Sequence, residues 1–118
     1  MKTDYLDKFK NLQISKKELS DKLGGNLYAV DSENPVTIYN TDVVNVLKAF
    51  KDGNITLSQL LDWVNTVWFT ELFEYDDEYS DSIASVLDKL EDLDEGNKEL
   101  TKADIGRYID ALLENEEV

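Results

Sequence analysis

Ile55-Thr56-Leu57-Ser58-Gln59-Leu60-Leu61-Asp62-Trp63-Val64-Asn65-Thr66-Val67-Trp68 is the stretch from which the fold can be read. Thr56 offers a hydroxyl to the orphan N–H groups of a first helical turn, and Gln59 can reach back to the Thr56 N–H. Ile55 and Leu60 flank this box as an apolar clip. Leu57, Leu60, Leu61, Val64, Val67, Trp68 and Leu72 then recur at helical spacing, which predicts one buried stripe on a helix over 57–73. Trp63, Phe69 and Phe73 fall off that stripe. Apolar residues beyond a single stripe place the helix at the centre of the core.

The same opening occurs twice more. Ile14-Ser15-Lys16-Lys17-Glu18-Leu19 and Leu100-Thr101-Lys102-Ala103-Asp104-Ile105 each run apolar, hydroxyl, two residues, acid, apolar. Helices are therefore expected to start at residues 16, 57 and 102, the last with aspartate as a short variant of the box. Val43, Val46, Leu47 and Phe50 predict another helix, capped by Asn40 or Thr41 and stopped at Gly53. Ile83, Val86, Leu87, Leu90 and Leu93 predict a helix running to Gly96, and Ile105, Tyr108, Ile109, Leu112 and Leu113 the stripe of the last one. Tyr5, Leu6, Phe9 and Leu12 suggest a first helix, and Leu19 with Leu23 a short second one ended by Gly24-Gly25. Residues 26–39 read as an irregular connector or a small hairpin around Asp31-Ser32-Glu33-Asn34-Pro35. The expected fold is all-α, a single compact bundle of five or six helices forming one domain over residues 1–118.

Charge is unevenly divided. Residues 1–51 carry eight lysines against seven acids, a balance of +1; residues 52–118 carry four basic residues against nineteen acids, a balance of −15. Such a field repels nucleic acid and anionic membrane and steers basic partners inward. The chain has no cysteine and no histidine, which removes thiol chemistry and the commonest general base and metal ligand. The charged start MKTDYLDKFK lacks an apolar signal core, and no apolar run approaches the roughly 20 residues of a membrane span. A cytoplasmic location is expected.

Two chemistries can be tested on the sequence. Asp52-Gly53-Asn54-Ile55-Thr56 has the look of a calcium loop, yet with Gly53 at the glycine position the ligand positions fall on Lys48, Phe50 and Gln59. Calcium needs anionic oxygens there, so a helix stop is the better reading. Around Gly96, Leu93 and Lys98 fail in the same way. The acids occur in runs such as Asp76-Asp77-Glu78 and Glu114, Glu116, Glu117, a pattern of solvated carboxylates rather than of desolvated catalytic ones. With no phosphate loop and no nucleophile motif either, an enzyme is the weakest reading. No cofactor and no metal ligand set is expected.

Glu74-Tyr75-Asp76-Asp77-Glu78-Tyr79-Ser80-Asp81 holds five acids and two tyrosines in eight residues. As an exposed loop it could cap the next helix, and the dipole favours acids there. Capping explains one or two acids near Ser80, whereas five acids with two tyrosines suit a binding surface. Tyr75 and Tyr79 would be rigid contact anchors, and Glu74, Asp76, Asp77, Glu78 and Asp81 would steer and pair with a basic protein. Trp63, Phe69 and Phe73 could extend the patch. The acidic outer faces of the last two helices (Asp81, Asp88, Glu91, Asp92, Asp94 and Glu95; Asp104, Asp110 and Glu114) add to the field.

Val43-Val44-Asn45-Val46-Leu47-Lys48-Ala49-Phe50-Lys51-Asp52-Gly53-Asn54-Ile55-Thr56, then Leu60-Leu61-Asp62-Trp63-Val64-Asn65, an acidic middle and Leu100-Thr101 together resemble small helical bacterial immunity proteins that accompany toxins or bacteriocins. The resemblance spans residues 43–113. It implies a compact helical protein that neutralises a basic toxin made by the same cell, with the binding role falling on segment 74–81. Two other classes remain open: a nucleic-acid mimic, which would need carboxylates regularly spaced along one face, and a helical adaptor holding a partner helix in a groove of exposed Trp63, Phe69 and Phe73.

Overall fold

A computed structural model describes residues 2–24, 35–70, 72–96 and 100–118. Among them are helices α1 (Lys2–Lys10), α2 (Lys16–Lys22), α3 (Asn40–Lys51), α4 (Leu57–Phe69), α5 (Ser80–Gly96) and α6 (Lys102–Glu114), and strands β1 (Val36–Ile38) and β2 (Phe73–Tyr75). The chain is mostly helical, but the all-α expectation is corrected: β1 and β2 form a two-stranded parallel sheet in which Val36 aligns with Phe73 and Ile38 with Tyr75. Val36–Ile38 pairs with a strand that follows α3 and α4 in the chain. The hairpin or connector expected over 26–39 falls largely on residues 26–34, which lie outside the described residues.

The three boxed helices begin where their caps put them. The Ser15 hydroxyl accepts from Glu18 N–H at 3.1 Å. Thr56 accepts from Gln59 N–H at 3.2 Å while the Gln59 side chain takes the Thr56 N–H at 2.8 Å. At α6 the reciprocal arm, Thr101 N–H to the Asp104 carboxylate, is 3.4 Å long, as a side chain one carbon shorter requires. The start of α3 differs from expectation. Asn40 is already helical, and Tyr39 is the cap residue; the Asp42 carboxylate holds the Tyr39 N–H at 2.8 Å. Asn40 bridges instead to the Leu112 carbonyl of α6 at 2.9 Å. At the other end of α3, Gly53 takes φ +80, and Asn54 N–H returns to the Ala49 carbonyl at 2.9 Å. That is the glycine helix stop favoured over a calcium loop.

The expected 57–73 helix is shorter. It ends at Phe69, and Thr70 turns extended with φ −106 and ψ 163. Thr66 and Thr70 direct their hydroxyls back to the carbonyls of Asp62 and Thr66. Such back-bonding competes with the helical ladder at a run of β-branched and aromatic residues. The buried stripe is also rotated: Leu60, Trp63, Val64 and Val67 are buried, while Leu57, Leu61 and Trp68 are half-buried or more exposed. Each fully buried large side chain contributes about 1.5–3 kcal/mol.

The buried apolar residues form one cluster to which all six helices and both strands contribute, including Leu6, Leu19, Ile38, Leu47, Leu87 and Leu112. α3 packs chiefly on α6 and α4 on α5, while α1 lies against α2 and β1. Lys10 fastens the sheet to this core. Its ammonium lies 3.6 Å from the Asp42 carboxylate, donates to the Thr37 carbonyl at 3.3 Å and sits 5.7 Å from the centre of the Tyr39 ring. Its backbone carbonyl accepts the Trp63 indole N–H at 3.2 Å. No helix among the described residues is long and apolar enough to cross a membrane.

Candidate functional site

Alternation along β1 and β2 decides which side chains reach the surface. Ile38 and Phe73 turn into the core, and Phe73 meets Phe9 with ring centres 6.2 Å apart. Thr37 and Glu74, aligned in the register, turn outward and are joined by a 3.2 Å hydrogen bond from the Thr37 hydroxyl to the Glu74 carboxylate. The outward face continues into Tyr39, which is 47% exposed, and into Asp76. Thr37, Tyr39, Glu74, Tyr75, Asp76 and Asp77 enclose a shallow depression of about 230 Å³. Three carboxylates line it and, among the described residues, no cationic side chain does.

Segment 74–81 is thus divided. In place of the expected exposed loop, Glu74 and Tyr75 belong to β2, and Asp76 N–H extends the pairing to the Ile38 carbonyl at 2.9 Å. A turn follows, with Tyr79 N–H bonded to the Asp76 carbonyl at 3.0 Å. Asp77 and Glu78 are exposed on it, and Asp81 is exposed in the first turn of α5. Glu78, Tyr79 and Asp81 do not line the depression. Tyr79 is half-buried against the core, and its carbonyl accepts from Ile83 N–H and the Ser82 hydroxyl at 2.9 Å each. From just beyond α6, the Asn115 side chain donates to the Glu78 carbonyl at 3.0 Å and steadies the turn.

Tyr75 is half-buried and stacks on Trp68, with ring centres 6.3 Å apart and planes 16° from parallel. Burial disfavours its phenolate and pushes the Tyr75 pKa from 10.0 up to about 12. At neutral pH it is therefore a neutral hydrogen-bonding group at the edge of an acidic depression.

Thr37 and Tyr39 line this site although nothing in the sequence reading singles them out. The period-two pattern of Val36-Thr37-Ile38-Tyr39 carries the signal, since alternation puts Thr37 and Tyr39 on one face. Conversely, Trp63 is 1% exposed and Phe73 7%, which removes two of the three rings that an open aromatic groove would need; Phe69, at 51%, stands alone. Elsewhere, Asp88, Glu91 and Asp92 bring carboxylate oxygens within 4.8 Å of one another on α5, the consequence of i, i+3, i+4 spacing on one helix face. Protein-family models, curated proteins and solved structures, searched with this chain, yield no match.

Proposed function

We propose that this chain is an acidic protein-binding module, most concretely an immunity-type inhibitor that neutralises a basic toxin by occlusion, with the face of the β1–β2 sheet as its recognition surface. The observation that carries the reading is the depression itself: Glu74, Asp76 and Asp77 converge on it beside the exposed Tyr39 ring and the neutral Tyr75. Carboxylates there attract a basic partner and raise its encounter rate, while tyrosine rings supply contact area at low entropic cost. Occlusion needs no cofactor. The acids Glu78 and Asp81 act from outside the depression, in steering, and Tyr79 acts by holding the turn. A mimic of nucleic acid is less well supported, because the acids fall in clusters, such as Glu74, Asp76 and Asp77 at the depression and Asp88, Glu91 and Asp92 on α5, rather than at regular spacing along one face.

The test uses Glu74→Lys with Asp77→Lys, two exposed positions where charge reversal leaves the core untouched. Wild-type and variant baits are compared in cells co-expressing the neighbouring reading frames. One dominant basic protein held by the wild type and released by the variant supports the proposal. Equal retention on both baits, or retention that is indifferent to salt, sinks it.

A further inference from the structure

The depression beside the sheet is acidic, but its acids are spread. Among the described residues, the trio whose carboxylate oxygens come within 4.8 Å of one another is Asp88, Glu91 and Asp92 on α5; Glu74, Asp76 and Asp77 form no such trio. A metal ion or an ammonium is a compact charge and touches only part of a spread set. A guanidinium carries five N–H donors in a rigid plane and reaches separated acceptors at once. The Thr37 hydroxyl restrains the Glu74 carboxylate by donating to it at 3.2 Å. The countercharge has to come from outside the local chain, because residues 23–47 and 52–88, which carry both strands and their flanks, contain no lysine or arginine.

The other walls are aromatic and open to a partner. Tyr39 is 47% exposed, and Glu74 and Asp77 are exposed beside it. Lys10 sits 5.7 Å from the centre of the Tyr39 ring without lining the depression, and its charge is answered by Asp42 at 3.6 Å. Tyr75 is braced by its stack on Trp68. Such planar walls suit a planar cation: a guanidinium is weakly hydrated and stacks on a ring, whereas an ammonium keeps its water more firmly. We propose that the depression takes one arginine side chain of the protein partner as the anchor of the complex, its guanidinium bonded across Glu74, Asp76 and Asp77 and stacked on the Tyr39 ring. This rests on the protein-binding reading above and names the group that the surface recognises.

The probes are three blocked pentapeptides, Gly-Ser-X-Ser-Gly with arginine, lysine or citrulline at X, titrated into the full chain and followed by the NMR shifts of the Thr37, Tyr39, Glu74 and Asp76 amides. Citrulline keeps the shape of arginine without its charge. The arginine peptide is expected to half-saturate near about 1 mM, the lysine peptide to bind about fivefold more weakly and the citrulline peptide not to bind. Tyr39→Leu, which leaves the backbone cap of α3 in place, should bring arginine down to the level of lysine; Tyr39→Phe, which keeps the ring, should keep the preference. Equal binding of arginine and lysine peptides, both lost on Glu74→Lys with Asp77→Lys, overturns the arginine anchor while the acidic surface stands. Arginine binding unchanged by that charge reversal overturns the acidic surface itself. No saturation by about 20 mM arginine peptide, or a preference that survives Tyr39→Leu, also overturns the anchor.

Discussion

Lys10 and Tyr75 show how single side chains set the properties of the sheet. The Lys10 ammonium and the Asp42 carboxylate are each only 13% exposed, and Asp42 also caps α3 through the Tyr39 N–H. Removing the cation leaves a largely buried carboxylate with one backbone donor. Lys10→Met is expected to lower stability by about 1–3 kcal/mol, less than for a fully buried pair because some water reaches it. Asp42→Asn in the Lys10→Met background should cost less than Asp42→Asn alone, and a double-mutant cycle in urea measures the difference. Tyr75 makes the fold sensitive to alkali. Below pH 10 the folded and unfolded chains both hold the phenol proton, so its contribution is complete. Between pH 10 and about 12 the unfolded chain releases that proton first, and stability falls as pH rises. Tyr75→Phe should flatten the alkaline limb by about 1–2 kcal/mol relative to wild type. Urea midpoints at pH 8 and pH 11 test this, the other tyrosines and the lysines being common to both proteins.

At the level of elements, capping geometry separates helices that look alike in sequence. Both arms of the Thr56–Gln59 box are tight, whereas the return arm at Thr101–Asp104 is 3.4 Å. Thr56→Ala should therefore cost about 1 kcal/mol and Thr101→Ala less, read as shifts in urea midpoint at constant m-value. These starts are legible because a cap acts over four residues and needs nothing from the rest of the chain. The start of α3 is misplaced by sequence for a related reason: Asn40 and Thr41 have the chemistry of caps, but the Leu112 carbonyl claims the Asn40 side chain. The end of α4 is misplaced because periodicity continues through Leu72, which is buried, although the backbone that carries it is no longer helical. The strands are illegible as a pair. Three residues carry little pattern, and their partner lies across two helices. The candidate segment can be named from its composition, but its division into strand, turn and helix start cannot, since that depends on where β1 lands.

For the whole molecule the strongest influence is a net charge of −14. Much of it lies on exposed side chains that repel one another in the folded state, and salt relieves this as the screening length shrinks from about 30 Å at 0.01 M to about 3 Å at 1 M. Heat denaturation should therefore move upward by about 4 °C over that range, the equivalent of roughly 1 kcal/mol. A falling midpoint in sodium chloride would show that attractive pairs outweigh the repulsion. The register of the sheet has a consequence in time as well. Thr37 and Glu74 stand 37 positions apart in the chain, with α3 and α4 between them. That long loop must close before β1 and β2 can pair, so the sheet is expected to form late in folding, and amide protection at Val36 and Asp76 in pulse-labelled refolding should lag that of α3 and α4. A nascent chain that has not reached Glu74 carries Thr37 and Tyr39 of one wall but none of the acids of the other. On the proposed function, a chain would become able to bind only once synthesis has passed Asp77 and the sheet has closed, so synthesis itself would set the moment of recognition.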